Sequence, residues 1–304
     1  MDLNRWTGGL FMRGEAYAIV AALLWGINYP LVKWVLRVIP ENDFLLMRFS
    51  LATLIFIFYL FFRGENLRVA RSDLLRVMAL GAVGIGIYNI LWTYGIHRTT
   101  SANAAILISA SPIFTGLFST CQGVEKMHGG KWLGTLLAFA GICMIVYWTP
   151  GVEISLSSRM FTGNLLVLGG SVLFSLYAIW AKPLLRVYSP LKLTSLVMLT
   201  GSLFLWLVGW QEFDISSCLR QPWPVFLGVS YIVALGTVVA FLFWYKGVQQ
   251  TSPFKTIIFH YIVPVVSMIV GSVCLGEIMN WERICGSLLV IVGLLTVHWG
   301  RDGS

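Results

Sequence analysis

The residues this chain lacks constrain it most. Lys, Arg, Asp and Glu divide it into uncharged runs at 16–32, 77–97, 99–124, 132–152, 160–181, 193–211, 221–245, 256–276 and 284–300. A helix needs about 20 apolar residues to cross the hydrocarbon of a bilayer. A further run, 49–62, reaches that length when 44–47 and Arg48 join it. The expected fold is therefore all-α, a polytopic membrane protein of ten helices with short connections. Outer-membrane strands would alternate apolar and polar residues, and these runs are apolar throughout.

Composition agrees. Only 11% of the 304 residues are charged and 58% are hydrophobic, against about 25% charged in a soluble domain. Too few charges remain to cover a globular surface in water, and a disordered or disulfide-built chain is excluded by the same numbers. Cys121, Cys143, Cys274 and Cys285 lie in or beside apolar runs, and Cys218 sits in a polar connection. With no CxxC, neither a zinc site nor a disulfide framework is expected. The first thirteen residues lack the apolar core of a signal peptide, so the first span is expected to be retained.

Orientation follows from the basic residues. With the N-terminus inside, Arg5, Arg13, Arg63, Arg68, Arg71, Arg76, Lys126, Lys131, Lys182, Arg186, Lys192, Lys246, Lys255 and Arg301 fall on the cytoplasmic side. Lys33, Arg37, Arg48, Arg98, Arg159, Arg220 and Arg283 fall on the other. Both termini are thus expected in the cytoplasm. The connection 212–221, with Cys218, is expected to be open to labelling from outside. The net charge of +8 sits at helix ends, which suits anionic lipid headgroups rather than nucleic acid.

The two halves repeat. At an offset of 152 the chain pairs Ala82 with Ala234, Gly84 with Gly236, Trp92 with Trp244, Gly95 with Gly247 and Thr99 with Thr251. It also pairs Pro112 with Pro264, Glu125 with Glu277, Gly134 with Gly286 and Gly141 with Gly293. Upstream, Lys33 matches Lys182 at an offset of 149. The expected halves are 14–150 and 160–300, five helices each. Five is odd, so the second half enters the membrane from the opposite side. Inverted repeats are the architecture of secondary transporters, which bind substrate at the repeat interface and expose it alternately.

The motifs then resemble one family. Trp25-Gly26-Ile27-Asn28 followed by Lys33, Met47-Arg48-Phe49, the prolines Pro112 and Pro264, and the corners at Glu125 and Glu277 resemble the ten-helix EamA-type exporters of the drug/metabolite transporter superfamily. The resemblance runs from about residue 14 to residue 300. The sequence departs from it at Glu125-Lys126 and Glu277-Ile278, where the family often has Glu-Arg, and Arg48 has Val197 as its second-half counterpart. The resemblance implies export of small metabolites, often amino acids, across a bacterial inner membrane, with aromatic amino acid exporters among the relatives. It also implies a central cavity lined by the first, third, fourth, sixth, eighth and ninth helices.

Within that frame the expected substrate contacts are Trp25, Asn28, Tyr29, Tyr88, Tyr177, His260 and Tyr261. Aromatic walls suit apolar or cationic bodies, and an amide can meet either end of an amino acid. Gating or structural roles are expected of Lys33, Arg48, Lys182, Pro112, Pro264, Glu125 and Glu277. Arg48 is expected to snorkel toward the outer interface. The matched prolines are expected to bend their helices, and the two glutamates to tie down the connections that follow them. An enzyme would need clustered titratable groups within the spans, and His97, His128, His260 and His298 stand far apart without an HExxH pattern. No P-loop and no cofactor motif is present. The partners expected are the bilayer and a small-molecule substrate, taken up by a monomer or homodimer. Export of drug-like or cationic compounds, and a membrane subunit without transport of its own, are the alternatives. All 13 acidic residues fall in connections, at termini or at helix ends, which leaves His260 as the titratable group inside a span and favours gradient-driven export.

Overall fold

A computed structural model describes residues 13–99, 101–148, 158–275 and 280–299. Among these, nine helices are long and apolar enough to span a membrane. They are α1 (Gly14–Val35), α2 (Glu41–Phe62), α3 (Arg71–Arg98), α5 (Gly129–Tyr147), α6 (Met160–Leu184), α7 (Pro190–Glu212), α8 (Trp223–Gln250), α9 (Pro253–Val270) and α10 (Trp281–Trp299). The fourth helix, α4 (101–121), is two shorter pieces, Ser101–Ile108 and Ser111–Cys121. The helices run further into charge than the uncharged runs suggest. Helix α8 continues past Lys246 because the ammonium lies over the rings of Tyr17 and Phe243, at 5.2 and 5.4 Å. Helix α2 begins at Glu41, with Asp43 in its first turn, where carboxylates meet the positive end of the helix dipole. Gly64 and Gly123, with φ of 68° and 67°, end α2 and α4. Their left-handed backbone lets the next residue's N–H reach back five residues, Glu65 to Leu60 and Val124 to Ser119.

The chain forms two compact units. One holds the residues up to Ile90 together with Trp180–Thr251, and the other holds Leu91–Ile179 and the residues from Ser252 onward. Each unit therefore contains segments from both halves of the sequence.

In the first unit α1 lies antiparallel on α8, and α2 lies antiparallel on α7. The Asn42 amide donates to the Gly209 carbonyl at 2.9 Å and the Trp206 indole to Ser50 at 2.8 Å. Helix α3 runs beside α7 through Gly81 and Gly201, where a methyl group on either would meet backbone of the other at 2.7–2.8 Å. Asp43 is buried and accepts from the Asp214 amide and the Ser217 hydroxyl, at 3.1 and 2.5 Å. It thereby holds the connection after α7, in which the short helix Ile215–Leu219 buries Cys218. The expectation that Cys218 is open to label is therefore corrected. Burial also pushes its thiol pKa up, which lowers the thiolate fraction that reacts.

In the second unit the repeat shows its inversion directly. The equivalent helices α5 and α10 pack antiparallel on glycine. A Cβ on Gly134 would meet the Gly293 carbonyl at 2.6 Å, and one on Gly141 would meet the Gly286 carbonyl at 2.6 Å. At an offset of 152 these two contacts exchange with each other. Only a two-fold relation between antiparallel copies does this, so the chain is built from two inverted five-helix repeats. Small residues at such a crossing let two backbones approach and gain van der Waals contact where lipid offers no hydrophobic drive.

Candidate functional site

Two turns of helix carry an extra residue, and they fall at equivalent places. Ala82–Ile87 in α3 and Ala234–Val239 in α8 are π-helical, again 152 residues apart. A π turn displaces the regular hydrogen-bond ladder, and such turns are frequent at functional sites. Both lie in the first unit.

The turn in α8 gathers three expected residues. The Trp25 indole donates to the Gly236 carbonyl at 3.0 Å, and its ring meets Phe241 edge-on at 5.4 Å. Asn28 is buried against Gly236, where a Cβ would come within 2.4 Å of its Oδ1. Its Oδ1 has no hydrogen-bond donor among the described residues. The Arg48 Nε donates to the Thr237 hydroxyl at 2.8 Å. Thr237 in turn donates its proton to the Ile232 carbonyl at 2.8 Å, so its lone pairs are left for the guanidinium. Tyr29 and Tyr88 lie within electrostatic reach of Arg48.

Arg48 does not snorkel. It is the eighth residue of α2, about 10 Å from the helix start at 1.5 Å per residue. Its partner Thr237 lies at the middle of the 28-residue α8, and Trp25 lies at the middle of the 22-residue α1. Arg48 is 4% exposed, and its guanidinium lies 5.8 Å from the Phe44 ring and 5.0 Å from the Phe49 ring. An arginine at the centre of a membrane helix costs about 2.5–3.5 kcal/mol on insertion scales. The single charge-assisted hydrogen bond returns about 1.5–3 kcal/mol. No acidic side chain pairs with Arg48 among the described residues.

The remaining expected contacts lie in the second unit. His260 stacks on Phe174, with centroids 4.9 Å apart and planes at 23°, and Phe174 meets Tyr177 at 6.1 Å. Tyr177 and Tyr261 are fully buried. The matched prolines sit at matched breaks: α4 is interrupted between Ile108 and Ser111, and Ile258–Tyr261 in α9 winds as a 3₁₀ turn. Pro112 has no N–H for the Ile108 carbonyl, and the Ser111 hydroxyl supplies one at 2.6 Å. From α6, Ser171 and Ser175 donate to the Leu107 and Ser111 carbonyls at 2.5 and 2.8 Å. Broken helices are tolerated in membranes where side chains satisfy the freed backbone in this way.

The gating or structural residues separate into distinct places. The Lys182 ammonium donates to the carbonyls of Val248, Gln249 and Thr251, at 2.7, 2.9 and 2.6 Å. It thus closes the C-terminal end of α8, where a cation is favoured. Lys33 is exposed on α1. Glu125 takes the buried Lys131 ammonium at 3.2 Å, fixing the connection into α5. Glu277 lies outside the described residues. Sequence reading missed Thr237, Phe174, Ser171 and Ser175. Thr237 had a signal, being a hydroxyl at the centre of an otherwise apolar run; the others look like ordinary helix residues. Among the described residues no cluster of metal-ligating side chains occurs.

Comparison with known proteins places the architecture. The chain is 26% identical over 273 residues to the "Uncharacterized transporter YyaM" of Bacillus subtilis, covering 89% of this chain and 88% of the relative. It is 28% identical over 285 residues to an "Uncharacterized transporter" of Archaeoglobus fulgidus, covering 92% and 97%. A "Probable terminal-alkyne amino-acid exporter" of Streptantibioticus cattleyicolor is 25% identical over 231 residues, covering 76% of this chain and 75% of that one. A crystal structure at 19% identity shares the fold, with a TM-score of 0.77 over 93% of this chain and 95% of the other. The model of the EamA-like transporter family matches twice, over residues 12–147 and 161–299. With nearly the whole chain matched in two copies, on inverted halves that pack through equivalent helices, this protein is a membrane transporter belonging to the EamA-like transporter family.

Proposed function

We propose that the chain exports amino acids, those with aromatic or other apolar side chains foremost, by alternating access across the inner membrane of its cell. Family membership supports transport, and the relative named as an amino-acid exporter supports the class. The observation that carries the reading is the aromatic and amide group at the π turn of α8, where Trp25, Asn28 and Tyr29 stand with Arg48 at mid-membrane depth. Rings suit an apolar side chain, and an amide and a guanidinium suit the polar end of an amino acid. The repeats 14–150 and 160–300 are the functional halves. The described acidic residues of the first helices, Glu15, Glu41, Asp43 and Asp73, stand in first turns. We therefore assign the drive to the substrate gradient.

Liposomes containing only this purified chain test the reading. Loaded with labelled phenylalanine, tyrosine, leucine or lysine, they should release the aromatic and aliphatic amino acids down their gradient. A proton gradient alone should not produce accumulation. Retention of every amino acid in the panel would refute the reading. Both termini are assigned to the cytoplasm. In a Cys218→Ser background, an impermeant thiol reagent applied outside should label Leu219→Cys, which sits on an exposed position, and spare Arg68→Cys. The reverse pattern would invert the assignment.

A further inference from the structure

Arg48 carries more donors than the protein uses. Its Nε is engaged by Thr237, and Thr237 cannot rotate away without losing its own bond to Ile232. That relay anchors the guanidinium at Nε, and the rings of Phe44 and Phe49 lie beside it. The four Nη hydrogens have no hydrogen bond to any described residue. A buried guanidinium without an anion is an expensive group to hold in a membrane, and such groups mark substrate pathways. Its two Nη groups form a planar fork that matches a carboxylate with two parallel hydrogen bonds.

One residue along the same π turn stands the opposite requirement. Asn28 is 3% exposed, and its Oδ1, against Gly236, is a buried acceptor without a donor among the described residues. Gly236 and Thr237 are consecutive, so an orphan acceptor and an underused cation flank the same piece of backbone. The repeat sharpens the point. The counterparts of Arg48 and Thr237 are Val197 and Ile85, so nothing in the packing of these helices demands a guanidinium and its acceptor at this place.

We propose that Arg48 binds the carboxylate of the transported molecule end-on through both Nη groups, that Asn28 Oδ1 accepts from its ammonium group, and that Trp25, Tyr29 and Tyr88 face its side chain. This rests on the amino-acid reading above and assigns its polar recognition. The site then reads a zwitterion, with selectivity for the two charged groups held on two helices that meet consecutive residues of the same π turn.

Thermal unfolding of the purified full chain tests it with three probes that share one ring: L-phenylalanine, 3-phenylpropionate, which lacks the ammonium, and phenethylamine, which lacks the carboxylate. A ligand that binds only the native state raises the melting temperature. Phenylalanine should stabilise most, 3-phenylpropionate with at least tenfold weaker apparent affinity, and phenethylamine not at all. The neutral amide of 3-phenylpropionate should fail as well, which distinguishes carboxylate recognition from ring burial in the wild-type protein and needs no variant. Arg48→Gln should abolish the response to 3-phenylpropionate, and Arg48→Lys should keep a weakened one. Asn28→Leu should erase the difference between phenylalanine and 3-phenylpropionate. Equal stabilisation by acid and amide, or an acid response that survives Arg48→Gln, would overturn the proposal. Phenylalanine efflux without any response to 3-phenylpropionate would overturn it while leaving amino-acid export standing. A response to 3-phenylpropionate in a protein that releases no amino acid would do the opposite.

Discussion

The two π turns share a backbone and differ in chemistry. At Ala82–Ile87 the displaced ladder is satisfied from within its own helix, with the Asn89 amide donating to the Ile85 carbonyl at 2.9 Å. It is closely packed, with Gly81 and Gly201 in backbone contact and Gly86 against the Phe204 ring. At Ala234–Val239 the ladder is satisfied from within by the Thr237 hydroxyl and also by another helix, through the Trp25 indole, and Thr237 accepts from Arg48 as well. Duplication fixed the geometry of both turns, and divergence at Val197/Arg48 and Ile85/Thr237 made one of them polar. One turn serves packing, and the other presents side chains.

Substitutions that cross this difference should have ordered effects. The largest falls on the packing turn. Gly201→Leu places a side chain whose Cβ would already stand 2.4 Å from the Ile85 Cβ and 2.7 Å from the Gly81 carbonyl. Overpacking costs about 1–3 kcal/mol even for small additions, so loss of monodisperse protein on size exclusion is expected. Thr237→Ile comes next. It copies Ile85 into the polar turn and leaves the Arg48 Nε without its acceptor, a loss of about 1.5–3 kcal/mol for a bond to a charged group. The double variant Arg48→Val/Thr237→Ile should regain most of that stability, because it removes the buried charge together with its acceptor and so the cost of keeping that charge out of water. Melting temperatures of the two single variants and the double close the cycle. Trp25→Phe follows, since it removes the indole N–H from the Gly236 carbonyl and also one ring of a buried bicycle. Asn89→Leu should cost as much or less, about 1 kcal/mol, by leaving the Ile85 carbonyl without its donor.

Much of this architecture could be read before the coordinates. Absent charges marked the spans, and the offset of 152 carried the inversion, because glycine, proline, tryptophan and glutamate seldom recur together in one register. The π turns could not be read. AVGIGI and ALGTVV share only their first and third residues, and an extra residue in a helical turn leaves no trace in hydropathy. Arg48 was misjudged for a related reason. Taking Asp43 as the edge of the membrane placed the helix start too late, whereas Asp43 is buried beneath the connection after α7. Lys182 similarly needed the true end of α8, beyond Lys246, before its role at that helix end was visible. Of the candidate contacts, Trp25 and Asn28 were found by motif, but their common partner, Gly236, is a carbonyl and a missing side chain, which sequence reading does not weigh.

If the proposed site is right, transport uses the polar turn and not its apolar twin. The most direct measurement is efflux of labelled phenylalanine from liposomes holding either the wild-type chain or Arg48→Val/Thr237→Ile, at matched protein content and with melting temperatures recorded for both. The double variant should fold with nearly wild-type stability and release no phenylalanine above protein-free liposomes. Release at the wild-type rate from the folded double variant would contradict the proposed site.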